Sequence, residues 1–146
     1  MNESVTTIMI RELTTLHPDD KVGRAVEIFK TKRIHHLPIV ENGDLVGLIT
    51  THDLWNKHIA PGDFENIDIK DIMSKKLIKL TPEDKIGTAA ELFLDNRFHA
   101  LPVVDGAKIV GLITTFDVLR YMFKKEYPNP ILFKDELEGD MDSLNR

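Results

Sequence analysis

The stretch GLITTHDL, residues 47–54, occurs a second time as GLITTFDV, residues 111–118. The two copies lie 64 residues apart, and the same offset aligns residues 16–54 with residues 80–118 without a gap. Identical residues occupy 20 of these 39 aligned positions. Such a repeat predicts two copies of one structural unit, and each copy is too small to bury its apolar face alone.

The first helix of each repeat is marked by apolar residues at helical spacing. In the first repeat this pattern runs from Asp20 to Lys32. The pair Asp19-Asp20 suits a helix start, because acidic groups are favourable near helix N-termini. The second repeat carries the same pattern around residues 86–93. A second helix is expected to begin at Thr50, and its counterpart 64 residues later.

Two short β-rich runs separate these helices in each repeat. Residues 36–40 and 45–49 flank Asn42-Gly43, a dipeptide that favours a tight hairpin turn. Residues 101–104 and 109–113 match them in the second repeat. With one further strand before the first helix, the predicted fold is α/β (α+β), made of two pseudo-symmetric β-α-β-β-α motifs packed sheet to sheet.

The predicted organisation is a first motif in residues 1–62, a second in residues 63–126 and an acidic tail in residues 127–146. The tail holds five acidic and two basic residues, a net charge of −3. Its composition indicates a solvated, partly disordered segment. The apolar run of residues 131–133 leaves a partner-binding role open.

Composition excludes several classes of function. The chain has 146 residues, 42% of them hydrophobic and 29% charged, with a net charge of −5 and no cysteine. A negative net charge argues against broad nucleic-acid binding, and the apolar runs are too short for membrane insertion. The lack of cysteine excludes disulfides and thiolate zinc sites and suits a cytoplasmic protein. Signatures of phosphate loops, metalloproteases and serine hydrolases are also missing, so no enzyme activity is expected.

The run RFHALPVVD (residues 97–105), followed by GLITTFD (residues 111–117), has counterparts in the first repeat. Together they resemble tandem cystathionine-β-synthase (CBS) domains, a pair called a Bateman module, over about residues 4–126. The resemblance implies a regulatory module without catalysis that binds AMP, ADP or ATP in clefts between the repeats. S-adenosylmethionine or a cyclic dinucleotide ranks behind these ligands, and no cofactor is required.

The resemblance also implies a homodimer. Because no enzyme or transporter domain is attached to the repeats, any regulation is expected to act through a separate, unknown protein. The alternative is an interaction protein that dimerises without any ligand. Binding measurements with a panel of adenine nucleotides would separate the two.

The Thr-x-x-Asp turns, Thr50 with Asp53 and Thr114 with Asp117, allow two interpretations. Each threonine can cap its helix while the aspartate completes a capping box. A carboxylate at this position repels phosphate, but it accepts hydrogen bonds readily from a ribose diol. The family resemblance places both aspartates on the ribose and both threonines beside the ribose or phosphate.

The histidines just before each Leu-Pro pair are the candidate phosphate contacts. Where relatives such as the regulatory subunit of the AMP-activated kinase often carry arginine, this chain has His36 and Ala100. A phosphate contact at His36 would therefore depend on pH, and the case for triphosphate binding is weaker. His35 and His99 are either ligand contacts or polar residues at a strand edge. A metal pair of His35 and His36 is disfavoured, because adjacent strand residues point to opposite faces.

Ile34 and Phe98 resemble adenine-packing residues, together with Thr14 and Ile78 on the expected first strands. The family geometry implies that each cleft combines residues of both repeats. One predicted cleft contains Thr14, Ile34 and His35 with Thr114 and Asp117. The other contains Ile78, Phe98 and His99 with Thr50, His52 and Asp53.

Overall fold

The computed structural model describes residues 1–96 and 98–129, so most of the predicted tail lies outside the described residues. Its helices are α1 (Val22–Lys32), α2 (Thr51–Asn56), α3 (Ile86–Asn96) and α4 (Thr115–Glu126). Its strands are β1 (His36–Glu41), β2 (Asp44–Thr50), β3 (Ala100–Asp105) and β4 (Lys108–Thr114). Short 3-10 turns cover Val5–Thr7, Pro61–Asp63 and Ile69–Asp71. The predicted α/β class with two pseudo-symmetric units is confirmed.

Each repeat contains an antiparallel hairpin with equivalent register. Leu37 of β1 faces Ile49 of β2, just as Leu101 of β3 faces Ile113 of β4. The turn at Asn42-Gly43 forms as predicted, with φ of 53° and 83°. Glycine adopts this left-handed backbone without steric cost, which suits a two-residue hairpin turn.

The two hairpins meet at one residue pair. Asp44 of β2 pairs with Lys108 of β4, giving the strand order β1-β2-β4-β3. The Lys108 ammonium also lies 2.8 Å from the Asp44 carboxylate and donates to the Asn42 carbonyl at 2.6 Å. Apart from this pair, the hairpins are held together by segments of the chain outside the four strands.

The segment at the start of each repeat packs into the core of the other repeat. Val5 and Met9 are buried among the α3, β3, β4 and α4 residues of the second repeat. Ile69 and Ile72 are buried among the α1, β1 and β2 residues of the first repeat. Each core is therefore complete only when both repeats are folded.

Backbone hydrogen bonds fix this exchange. Ile10 and Leu112 donate to each other's carbonyls at 2.8 and 2.9 Å, and Leu48 and Ser74 do so at 3.0 and 2.9 Å. The partners in each pair come from different repeats. We call these two contacts the crossed pairs.

The strand expected before each first helix is reduced to single bridges. Leu16 donates to the Pro38 carbonyl at 3.1 Å and accepts from the Val40 amide at 2.8 Å. Leu80 makes the equivalent bridge to β3. The pairing stops there because Pro18 and its counterpart, two residues further on, have no amide hydrogen to donate.

Helix α1 begins at Val22, and the prediction that Asp19-Asp20 starts it is wrong. The first amides of α1 donate hydrogen bonds to carbonyls that are distant in sequence. Val22 donates to the Ile67 carbonyl and Gly23 to the Phe64 carbonyl, both at 2.9 Å. The N-cap residue makes no side-chain hydrogen bond to the helix. Backbone carbonyls from the second repeat thus replace a local side-chain cap.

The repeated glycines lie where the exchanged segments cross the strands. A Cβ atom at Gly47 would lie 2.8 Å from Met73 Cγ. A Cβ atom at Gly111 would lie 2.8 Å from Met9 Cγ and 3.1 Å from the Ile10 carbonyl oxygen. All three distances are shorter than ordinary van der Waals contact. The glycine of each GLITT stretch is therefore needed for close packing of the two repeats.

Gly111→Ala is expected to lower the free energy of unfolding by about 1–3 kcal/mol, because the added methyl group overpacks this contact. Gly62→Ala is the matched control, since nothing lies within 4 Å of a Cβ atom at that position. Urea denaturation of both variants measures the difference. Equal stability of the two variants would show that the glycine contact is unimportant.

Candidate functional site

A first cleft of about 350 Å³ lies between the repeats. The first repeat contributes the segment around Thr14 and the residues Ile34 and His35 at the start of its hairpin. The second repeat contributes Thr114 at the N-terminus of α4. The predicted combination of Thr14, Ile34, His35 and Thr114 thus occurs in one cavity.

A second cleft of about 290 Å³ has the equivalent construction. Ile78 and Phe98 come from the second repeat, while Thr50 and Asp53 come from the N-terminus of α2 in the first repeat. The crossed pairs explain both arrangements. Each places the segment that leads into a cleft beside the strand that ends at the Thr-x-x-Asp turn of the other repeat.

Both Thr-x-x-Asp turns are capping boxes. Thr50 Oγ1 accepts from the Asp53 amide at 3.1 Å, and the Thr50 amide donates to Asp53 Oδ2 at 2.9 Å. The second turn repeats these bonds at 3.2 and 2.8 Å, and the Thr114 hydroxyl also donates to Asp117 Oδ2 at 2.8 Å. Among the described residues, these bonds to the carboxylates all go to Oδ2, so Oδ1 of each aspartate is left for another donor.

The two aspartates differ in access. Asp53 is half-buried and lines the second cleft. Asp117 is only 9% exposed and does not line the first cleft. It lines a separate pocket of about 390 Å³, together with Arg120 and Lys124. The structure therefore brings Asp53, but not Asp117, to its predicted cleft.

A larger, central cavity of about 1040 Å³ shares lining residues with both clefts, and its lining includes four histidines: His35, His36, His52 and His99. His99 also lines the first cleft and not the second, where it was expected. His52 lines this central cavity. Its Nε2 atom lies 2.8 Å from the side-chain amide nitrogen of Asn56.

The His36 ring is held in its neutral form. Burial lowers the pKa of His36 to about 4, and repulsion from His35 and His99 acts in the same direction. The Asp53 carboxylate raises this pKa without offsetting burial. His36 is consequently uncharged at neutral pH and offers a phosphate a hydrogen bond but no positive charge. Among the residues described, no cluster of histidine, aspartate and glutamate side chains could hold a metal ion.

The family model for the CBS domain matches residues 5–54 and 69–124. The chain belongs to the CBS domain family. An inosine-5′-monophosphate dehydrogenase from Methanocaldococcus jannaschii is 35% identical over 123 residues, which are 83% of this chain and 23% of that enzyme. The chain spans from 23% to 48% of the length of the first six curated relatives that it matches.

Solved CBS pairs share the fold. The CBS domain pair of protein MJ0100, in complex with 5′-methylthioadenosine and S-adenosyl-L-methionine, is 28% identical with a TM-score of 0.74, covering 86% of this chain and 99% of that one. CBSX2, a protein of Arabidopsis thaliana, in complex with AMP is 24% identical with a TM-score of 0.75, covering 84% of this chain and 98% of that one.

The prediction from sequence missed several residues that line the clefts of this CBS pair. Glu12 and Arg33 line the first cleft, while Ser74 and Lys76 line the second. The offset of 64 aligns Glu12 with Lys76, so the repeat in the sequence could have identified these two residues as counterparts. Within residues 1–96 and 98–129, no helix of the CBS pair has the length and hydropathy needed to cross a membrane.

The CBS pair is expected to lose stability between pH 6.5 and 4 through His36. Its folded-state pKa of about 4 lies below the ordinary value of 6.5, so the unfolded chain binds more protons in this window. The contribution is absent above pH 6.5 and grows as pH falls, to about 1–3 kcal/mol of lost stability.

His36→Ala places at this position the residue that occupies the equivalent position 100, and it should remove this part of the acid sensitivity. His58→Asn is the control, because His58 is exposed and asparagine tolerates its left-handed backbone, with φ of 50°. Urea denaturation from pH 7.5 to 4.5 measures the effect. If the parent and His36→Ala show the same pH dependence, His36 is not the titrating group.

Proposed function

We propose that this chain is a cytoplasmic regulatory module that binds an adenosine-containing nucleotide in the clefts between its CBS motifs and signals to a separate protein. The observation that carries the proposal is the make-up of the clefts. Each unites apolar side chains from one motif with a Thr-x-x-Asp turn, or its threonine, from the other. A ligand bound there contacts both motifs at once and stabilises their relative position.

The second cleft provides surfaces suited to adenine. The apolar side chain of Ile78 is 45% exposed. Phe98 also lines this cleft. The Phe98 ring packs edge-on against Phe93, with centroids 6.4 Å apart, which limits its movement. An aromatic and an aliphatic side chain that are partly open to solvent gain by covering a flat, apolar base.

Asp53 supports a ribose contact without losing its structural role. Its Oδ2 accepts the Thr50 amide within the capping box, and Oδ1 remains free to accept a hydroxyl of the ribose. A charge-assisted hydrogen bond of this kind is about twice as strong as a neutral one. The capping and ligand-binding interpretations of the Thr-x-x-Asp turn are therefore compatible in this cleft.

The ligands of related CBS pairs support the choice of an adenosine compound. The MJ0100 pair was solved with 5′-methylthioadenosine and S-adenosyl-L-methionine, and CBSX2 with AMP. Adenine joined to a ribose with a 2′,3′-diol is the part that these three ligands share. We propose AMP, ADP and ATP as the preferred ligands of this chain. We also propose that it requires no cofactor and catalyses no reaction.

A second candidate is an interaction protein that needs no ligand. The observation in its favour is an exposed apolar face on α4 and the adjoining α3. Leu94 is 84% exposed, Leu119 62% and Met122 49%. Titration with AMP, ADP, ATP and S-adenosylmethionine separates the candidates, since an interaction protein would bind none of them.

Asp53→Asn is expected to weaken nucleotide binding about tenfold, because a neutral amide replaces a charged acceptor of the ribose hydroxyl. Asparagine still accepts the Thr50 amide, so the helix cap is kept. Asp63→Asn is the control, since it makes the same charge change at an exposed position outside both clefts. Calorimetric titration, with a melting curve for each variant, gives the result. Unchanged affinity of Asp53→Asn would limit Asp53 to a capping role.

The exposed apolar face on α3 and α4 supports a homodimer, because large exposed apolar patches on soluble proteins commonly mark interaction surfaces. The parent should scatter light as a dimer at micromolar concentration. Leu119→Glu should scatter as a monomer, because it places a charge in the patch. A monomeric parent would contradict the proposed homodimer.

A further inference from the structure

We infer that the central cavity is a common phosphate site for both clefts, and that a phosphate bound there is neutralised by protons that its histidines take up. This inference rests on the proposed function and deepens it, because it names the place of the phosphate and couples nucleotide binding to proton uptake. It is carried by the position of the cavity, by the side chains that line it and by the charges around them.

The central cavity adjoins both clefts through shared side chains. It has His35, His36 and His99 in common with the first cleft. It has Thr50 and Phe98, among others, in common with the second cleft. Its volume of about 1040 Å³ exceeds that of either cleft, about 350 and 290 Å³. Two nucleosides, one in each cleft, can therefore extend their 5′-phosphates into the same space.

Among the described residues that line this cavity, histidine is the only source of positive charge. None of them is lysine, arginine, aspartate or glutamate. The charged side chains of the clefts offset each other, since Glu12 and Arg33 both line the first cleft. Asp53 and Lys76 both line the second. A phosphate in the central cavity therefore depends on protonated histidine for its counter-charge.

Three of the four histidines are placed to take up a proton. His35, His52 and His99 are exposed, so water reaches their rings. They lie just before β1, on α2 and just before β3, respectively. His36 differs, because burial, followed by repulsion from His35 and His99, lowers its pKa to about 4. This repulsion acts between rings of both repeats, so an anion between them would face several histidines at once.

A bound phosphate favours the protonated form of the histidines that it contacts, because an opposite charge within about 4–6 Å stabilises a charged group. It also offsets the repulsion between the charged rings. The complex therefore binds more protons at pH 7 than its separate components, and AMP binding takes up protons. AMP itself has the opposite effect when it binds as the dianion, because its phosphate, with a second pKa of about 6, releases protons.

The experiment measures proton uptake with AMP and adenosine, two probes that differ only in the phosphate. Calorimetric titrations at pH 7 are made in buffers of different ionisation enthalpy, because the observed enthalpy changes with the buffer in proportion to the protons taken up. The parent should take up roughly half a proton or more for each AMP, and less than about a quarter for adenosine. The triple variant His35→Asn, His52→Asn, His99→Asn should lose most of this uptake, because asparagine donates a hydrogen bond but does not titrate.

His58→Asn is the matched control, because it removes an exposed histidine outside the cavity lining and should keep the uptake of the parent. The inference is overturned if the parent binds AMP without proton uptake, if adenosine causes the same uptake, or if the triple variant keeps it. A triple variant that binds adenosine but no longer binds AMP would support the inference. One that binds neither, while melting as the parent does, would overturn it, because the histidines would then hold the nucleoside. If the parent binds neither probe, the proposed function itself fails and takes this inference with it.

Discussion

Two short backbone contacts, Ile10 with Leu112 and Leu48 with Ser74, determine how the rest of this molecule is arranged. Each joins the leading segment of one repeat to a strand of the other. Because these segments also carry core residues such as Val5 and Ile69, neither repeat can complete its apolar core alone. The glycine before each crossed strand residue allows the methionine of the exchanged segment to lie against the strand.

The same exchange creates the clefts. A segment that crosses to the other repeat must pass the N-terminus of that repeat's second helix, where the Thr-x-x-Asp turn lies. The contacts that hold the fold together and the side chains that line the clefts are therefore only a few residues apart in sequence. Binding of the proposed ligand in a cleft would add a further connection between the repeats and would couple occupancy to their relative position.

Local features of the fold were predictable from the sequence. The Asn42-Gly43 turn and the caps at Thr50 and Thr114 depend on neighbouring residues, and the structure has all three. The start of α1 was not predictable in this way, because its first amides bond to carbonyls more than 40 residues away. From neighbouring residues alone, the helix was expected to start at Asp19-Asp20, the nearest acidic residues.

The candidate site was predictable in part for the same reason. The repeat and the family resemblance together placed Thr14 with Thr114 and Ile78 with Asp53. They did not reveal that Asp117 lines a different pocket, because that pocket forms between α4 and Thr7 and Ile8 of the exchanged segment. The opposite charges at Glu12 and Lys76 were visible in the alignment, but only the cavity linings show that both face a cleft.

The interdependence of the repeats is tested most directly by separating them. Fragments 1–62 and 63–146 are produced individually, and circular dichroism with thermal melting is recorded for each fragment and for an equimolar mixture. Each fragment alone should lack a cooperative melting transition, and the mixture should recover helical signal and a single transition. A fragment that folds and melts cooperatively on its own would contradict the account.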